Sequence, residues 1–154
     1  MPTSLAHKTT VRRVYLIDTN VISEARKGRA ADPGVTAFFR RCAREGTRLW
    51  LSVVTVGELR RGVDLIRHRG DGAQADRLQA WLDLLLRDYR ESILPFDLEA
   101  AQLWGRLRVP HPENSLDKQI AATALLHDLT VVTRNTADFA GTRVKLFNPF
   151  TATG

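Results

Sequence analysis

Apolar positions fall into short continuous runs and longer periodic stripes, and the two kinds alternate along the chain. Val14-Tyr15-Leu16-Ile17 is a continuous run, the pattern of a strand buried on both faces, and it ends abruptly in Asp18-Thr19-Asn20. A short helix is expected over residues 21–25, closed by turn residues around Gly28 and Asp32-Pro33-Gly34. Val35, Phe38, Phe39 and Cys42 then recur at i, i+3, i+4 and i+7, so a helix follows and buries that stripe. Its aromatic pair belongs to the core. Leu49-Trp50-Leu51-Ser52 reads as a second strand, and from Val53 the pattern turns helical through Glu58-Leu59-Arg60-Arg61-Gly62-Val63. Beyond the turn-rich His68-Arg69-Gly70-Asp71-Gly72, Leu78, Trp81, Leu82 and Leu85 form another stripe, which predicts an αα-hairpin.

Ile93-Leu94-Pro95-Phe96 is a short strand cut by proline, which places it at a sheet edge. Asp97 caps the next helix, lined by Leu98, Ala101, Trp104 and Leu107. A stiff loop over 109–114 leads into Ser115-Leu116-Asp117-Lys118, the start of a helix whose inner face (Ile120, Ala121, Ala124, Leu125) is small enough to lie close on a sheet. Residues 129–133 form another buried strand that exits into Arg134-Asn135-Thr136-Ala137-Asp138-Phe139, and residues 144–147 form the last. Strands alternating with helices predict an α/β fold: a mainly parallel sheet wrapped by helices on both faces.

That architecture changes the meaning of the acids. In open α/β sheets ligands bind in the crevice beyond the carboxyl ends of the strands. Asp18, and Asn135 with Asp138, lie at strand ends; Glu58 and Asp117 open helices that follow or flank them. Each has a plain structural explanation as well. Asp18 serves as a helix N-cap, and Glu58 or Asp117 complements a helix dipole. Together they can converge on one edge of the sheet. Like charges a few ångströms apart repel, and a hard divalent cation removes that cost. Such an ion activates water and stabilises charge on a phosphodiester.

Composition narrows the alternatives. At 154 residues, 44% hydrophobic, the chain suits one domain with a proper core. No apolar run approaches the roughly 20 residues that span a bilayer, and residues 1–13 lack the apolar segment of a signal peptide. One cysteine, Cys42, excludes an internal disulfide framework. A cytoplasmic location is the expectation. The net charge of +6 comes wholly from residues 1–50, which hold ten Lys/Arg against four Asp/Glu, notably Arg40, Arg41, Arg44 and Arg48. A basic face suits a polyanion, though solvated arginine explains it equally. There is no Gly-rich phosphate loop, no Gly-x-Ser-x-Gly elbow and no Cys/His zinc spacing.

Four segments in order carry a resemblance: 16–23 (LIDTNVIS), Ser52 with 58–62 (ELRRG), 117–124 (DKQIAATA), and 130–135 (TVVTRN) followed by Asp138-Phe139. Together they resemble the PIN-domain family, and within it the VapC-type toxins of toxin–antitoxin modules; the closing Leu146-Phe147-Asn148-Pro149-Phe150 is similar too. The likeness runs from about Val14 to Phe150, giving a PIN-like domain over 14–150 with an N-terminal extension (1–13) and a tail (151–154). It implies a Mg²⁺- or Mn²⁺-dependent endoribonuclease, a homodimer, and a cognate antitoxin whose tail blocks the acidic pocket. The family's acids fall on Asp18, Glu58 and Asp117, with Asp18 and Asp117 as the direct metal ligands. The fourth position falls to Asp138, acting through water, or to Asn135 through a neutral oxygen. Thr19, Asn20 and Thr133 are expected to orient ligands or water, and Arg60, Arg61 or Arg134 to grip the RNA backbone. The other readings are a housekeeping PIN nuclease of RNA processing and a PIN fold that binds without cutting.

Overall fold

The computed structural model describes residues 14–151, so the extension over 1–13 and most of the tail lie outside the described residues. Five strands form one sheet: β1 (Tyr15–Ile17), β2 (Leu49–Ser52), β3 (Ile93–Leu94), β4 (Thr130–Val132) and β5 (Lys145–Phe147). Their order is β3-β2-β1-β4-β5, and every pairing is parallel. Six helices surround it: α1 (Thr19–Ala25), α2 (Pro33–Glu45), α3 (Val53–His68), α4 (Gly72–Asp88), α5 (Leu98–Leu107) and α6 (Ser115–Leu126). Short 3-10 turns occupy Gly28–Ala30, Arg90–Ser92 and Thr136–Phe139.

Period-two alternation divides the core between the two faces. Tyr15, Ile17, Leu51 and Val132 pack with Val21, Val35, Phe38, Leu59 and Leu82 from α1 to α4. Leu16 and Val131 point the other way, onto Ile120, Ala121 and Ala124 of α6. Burying each such aliphatic side chain contributes about 1.5–3 kcal/mol, and Leu16, Ile17, Leu51, Val131 and Val132 are all fully buried. The all-apolar runs in β1 and β4 follow from this two-sided cover. Proline-bearing β3 is the edge strand, as its sequence indicates. The hairpin of α3 and α4 forms as expected, and Asp97 caps α5 by accepting from Ala100 N at 3.0 Å. Among the described residues no helix is long and apolar enough to cross a membrane.

Asp32 caps α2, accepting from Gly34 N (2.8 Å) and Val35 N (3.2 Å), and it also binds the chain's last described residue. Thr151 donates to it twice, from N at 3.0 Å and from Oγ1 at 2.5 Å. The segment after β5 therefore runs directly over the start of α2. A Cβ on Gly34 would meet the Pro149 carbonyl oxygen at 2.2 Å and Thr151 N at 3.0 Å, both backbone atoms. Gly34→Ala should destabilise the fold by about 1–3 kcal/mol, as overpacking does, read as a lower Tm. An unchanged melt would show that this contact is loose in solution.

Candidate active site

The strand order reverses direction between β1 and β4, so a crevice opens beyond the carboxyl ends of these two strands. Asp18 follows β1 and Thr133 follows β4. The ladder Ile17↔Val132 sets them side by side, and Asp18 N donates to Val132 O at 2.9 Å. Thr133 Oγ1, fully buried, donates to Asp18 Oδ2 at 2.8 Å. Asn20 Nδ2 reaches both Asp18 Oδ2 and Thr133 Oγ1 at 3.3 Å, while Asn20 Oδ1 accepts from Arg134 N at 3.0 Å. Asn135 N donates to Thr133 Oγ1 at 3.1 Å. Thr19 N donates to Asp18 Oδ1 at 2.8 Å, so α1 starts at Thr19, two residues earlier than its hydrophobic pattern suggested. Asp18 is thus both a helix cap and a residue of the cavity wall, and the first does not exclude the second.

A cavity of about 500 Å³ lies over this network. Asp18, Thr19, Asn20, Glu58, Asp117 and Asn135 line it, from four segments far apart in sequence. Glu58 stands six residues into α3, beyond the first turn, so the helix dipole does not account for it. Asp117 is in the first turn of α6. Asp138 sits on the 3-10 turn after β4, near enough that its charge raises the proton affinity of both Asp18 and Asp117. Thr133 lies beneath the floor.

Several wall residues carried no functional signal in the sequence: Val54, Asn114, Ser115, Leu116 and Ile120. Asn114 adopts the left-handed conformation (φ 56°) that Asn tolerates. The loop before α6 is pinned by Trp104 Nε1 donating to Ser115 O at 2.9 Å and by the buried Lys118 ammonium donating to His111 O. These contacts fix where Asp117 enters the cavity. An Asn immediately before a Ser-initiated helix was the available clue.

The two arginines of α3 part company. Residues two apart on a helix do not share a face. With Glu58 toward the cavity, Arg60 turns to α4, where its guanidinium donates to Gln79. Arg61, three residues on from Glu58, is exposed. Arg48 of the basic cluster is committed to structure: it lies 3.9 Å from the Trp50 ring centroid and donates to Glu91 O at 3.0 Å. His68, His111 and His127 are exposed, and none lines the cavity; His7 lies outside the described residues.

The electrostatics are those of uncompensated negative charge. Burial raises the Asp18 pKa, partly offset by the hydrogen bonds from Thr133, Thr19 N and Asn20. Asp117 is pushed up to about 6, first by burial and then by repulsion from Asp18, Asp138 and Glu58. Among the described residues no salt bridge reaches any of these four carboxylates. Nor do any three of the described acids, histidines or cysteines stand close enough to ligate one ion together. The donor set therefore fits a hard cation held by one or two carboxylates with water and a substrate phosphate filling the rest, the usual habit of Mg²⁺. It does not fit an ion caged wholly by protein.

Residues 15–144 match the PIN domain as a family. The chain is 36% identical to Toxin FitB from Neisseria gonorrhoeae over 143 residues, covering 89% of this chain and 99% of that protein. It is 33% identical to VapC ribonuclease Y4jK from Sinorhizobium fredii, covering 89% and 98%. The crystal structure of FitAcB from Neisseria gonorrhoeae superposes with a TM-score of 0.75 at 35% identity, covering 88% of this chain and 97% of that one. With a parallel sheet switching direction at β1/β4 and acids from separate segments facing one cavity there, the chain belongs to the PIN-domain family.

Proposed function

We propose that this protein is a Mg²⁺- or Mn²⁺-dependent endoribonuclease, the toxin of a toxin–antitoxin pair. One observation carries the chemistry: Asp18, Glu58 and Asp117, from three distant segments, face into a single cavity with no described cation to balance them. Two of the similar proteins are named a toxin and a ribonuclease, which supports the same reading. In it Asp18 and Asp117 hold the metal, which supplies water activation and charge neutralisation on the phosphodiester. Glu58 and Asp138 complete the acidic field, and Asn135 offers its amide oxygen at the cavity wall. The carboxylates hold and orient attacking water, while Thr19, Asn20 and Thr133 fix the angle of Asp18. Arg61 and Arg134 are the candidates for gripping the RNA backbone. A cognate antitoxin covers the cavity, two copies of the chain pair, and the protein works in the cytoplasm.

Purified protein incubated with a panel of structured RNAs should cut with Mg²⁺ or Mn²⁺ and stop when a chelator is added. Cutting that persists with chelator present would remove the metal from the reading. No cutting of any RNA under any divalent ion would leave a binding module instead.

A further inference from the structure

The Asn148-Pro149-Phe150-Thr151 segment after β5 is built as a strap, and its aromatic residue ends against Arg134, which precedes Asn135 of the cavity wall. Asn148 Oδ1 accepts from Phe150 N at 3.0 Å, turning the chain, and Thr151 is locked onto Asp32. Pro149 is buried over Gly34, and Phe150 is half-buried against the hydrophobic core on that face of the sheet. The guanidinium of Arg134 lies 4.7 Å from the centroid of the Phe150 ring. The backbone of Arg134 is tied to Asn20 Oδ1, and of its neighbours Asn135 lines the cavity while Thr133 lies beneath it, bonded to Asp18. Arg134 is therefore held beside the cavity wall, by its backbone on Asn20 and by its guanidinium over Phe150.

Three other arginines lie over rings: Arg41 is the more distant, 5.9 Å from the Phe38 and Phe147 centroids, and the other two already donate to the protein. Arg48 donates to Ser92 and Glu91 O, and Arg108 donates to Pro112 O at 3.3 Å while stacked on Trp104. Among the described residues no carboxylate or carbonyl takes up the Arg134 side chain, which is exposed. A planar fork of donors, pre-oriented by a ring on one face and open at its edge, suits a phosphate.

We propose that Phe150 is a positioning residue: its ring holds Arg134 beside the acidic cavity to contact a backbone phosphate of the RNA, and the Asp32–Thr151 latch fixes the strap that carries it. This rests on the reading that the cavity cuts RNA.

The test uses a labelled single-stranded RNA of mixed sequence, bound by the full chain in the Asp117→Asn background so that it stays intact. Phe150→Leu should weaken binding about three- to tenfold, the range of a cation–π contact, and Phe150→Trp should retain wild-type affinity within about twofold. Arg134→Ala should weaken binding and flatten the log–log salt dependence by about 0.7, one phosphate on a single strand. Adding Phe150→Leu to Arg134→Ala should cost nothing more. In the cleaving protein Phe150→Leu should raise KM with kcat within about twofold. A ring that only packs the fold lowers Tm without touching RNA affinity or its salt slope, and that result overturns the proposal, as does an additive double variant. If the unsubstituted chain binds and cuts RNA, such a result sinks the strap alone. If it neither binds nor cuts RNA, the nuclease reading has failed and the strap proposal falls with it.

Discussion

Asp117→Asn should abolish RNA cleavage and, without metal, make the protein more resistant to heat. The first effect follows from the proposed role: losing one of two carboxylates that hold the ion costs on the order of 10²–10³-fold or more. The second follows from the field around Asp117. Its carboxyl is pushed from 3.8 to about 6 by burial and by Asp18, Asp138 and Glu58. A native state that holds a proton more tightly than the unfolded chain is favoured where the proton is on. The contribution of this group is thus fully present below about pH 3.8 and is lost as pH rises through about 6. At pH 7–8 the metal-free protein carries the whole penalty, and an amide of the same shape removes it. Tm should therefore rise in the variant at pH 7–8, and the gap should close below pH 4. Adding Mg²⁺ should raise the Tm of the unsubstituted protein at neutral pH and leave the variant nearly unmoved. A variant that melts lower at pH 8, or keeps cutting, would remove Asp117 from the centre of the site.

Opposite signs in activity and stability are what acids gathered for chemistry rather than for folding should show. A fold gains nothing from setting Asp18, Glu58 and Asp117 around one cavity, and the rest of the chain obeys local rules closely. The apolar runs of β1 and β4, the stripe of α2 and the small face of α6 announced their elements because two-sided burial leaves few substitutes. What stayed illegible depends on contacts between distant segments. Arg60 reads like a rim residue in one dimension, yet its angle round α3 sends it to Gln79. The start of α1 is hidden in one dimension because Asp18 reads as either cap or ligand, whereas Oδ1 caps the helix and Oδ2 takes the Thr133 hydroxyl. The Asp32–Thr151 latch joins positions 119 apart and left no pattern at all. Asn148-Pro149-Phe150 was visible as a motif, but its meaning came only from where the strap lands.

Thr133 makes the sharpest case of such a contact, and Thr133→Val should cost both stability and activity. Its hydroxyl donates to Asp18 Oδ2 and accepts from Asn20 Nδ2 and Asn135 N, so one oxygen closes three bonds. Valine has nearly the same shape and none of them. Losing a fully buried hydroxyl leaves its partners unsatisfied at about 1–3 kcal/mol, which should appear as a lower denaturant midpoint. Groups that orient a metal-holding carboxylate are worth about 10–100-fold in metal affinity or activity, so cleavage should fall in that range. It should also need more Mg²⁺. The Thr133 bond opposes the rise in the Asp18 pKa, so without it Asp18 holds its proton more tightly and the acid limb of the pH–rate profile moves upward. Thr133→Ser separates the two effects. It keeps the hydroxyl and drops a methyl worth about 0.8 kcal/mol, so stability falls modestly while cleavage and its pH profile stay near those of the unsubstituted protein. Full activity in the Val variant would mean that Thr133 only fills space. The hydroxyl meets Asp18 because Ile17 and Val132 are paired in the ladder, and a slip of one residue would turn the side chains of the slipped strand to the wrong face of the sheet. The register of β1 on β4, fixed by the two hydrophobic cores, is what aims the carboxylate.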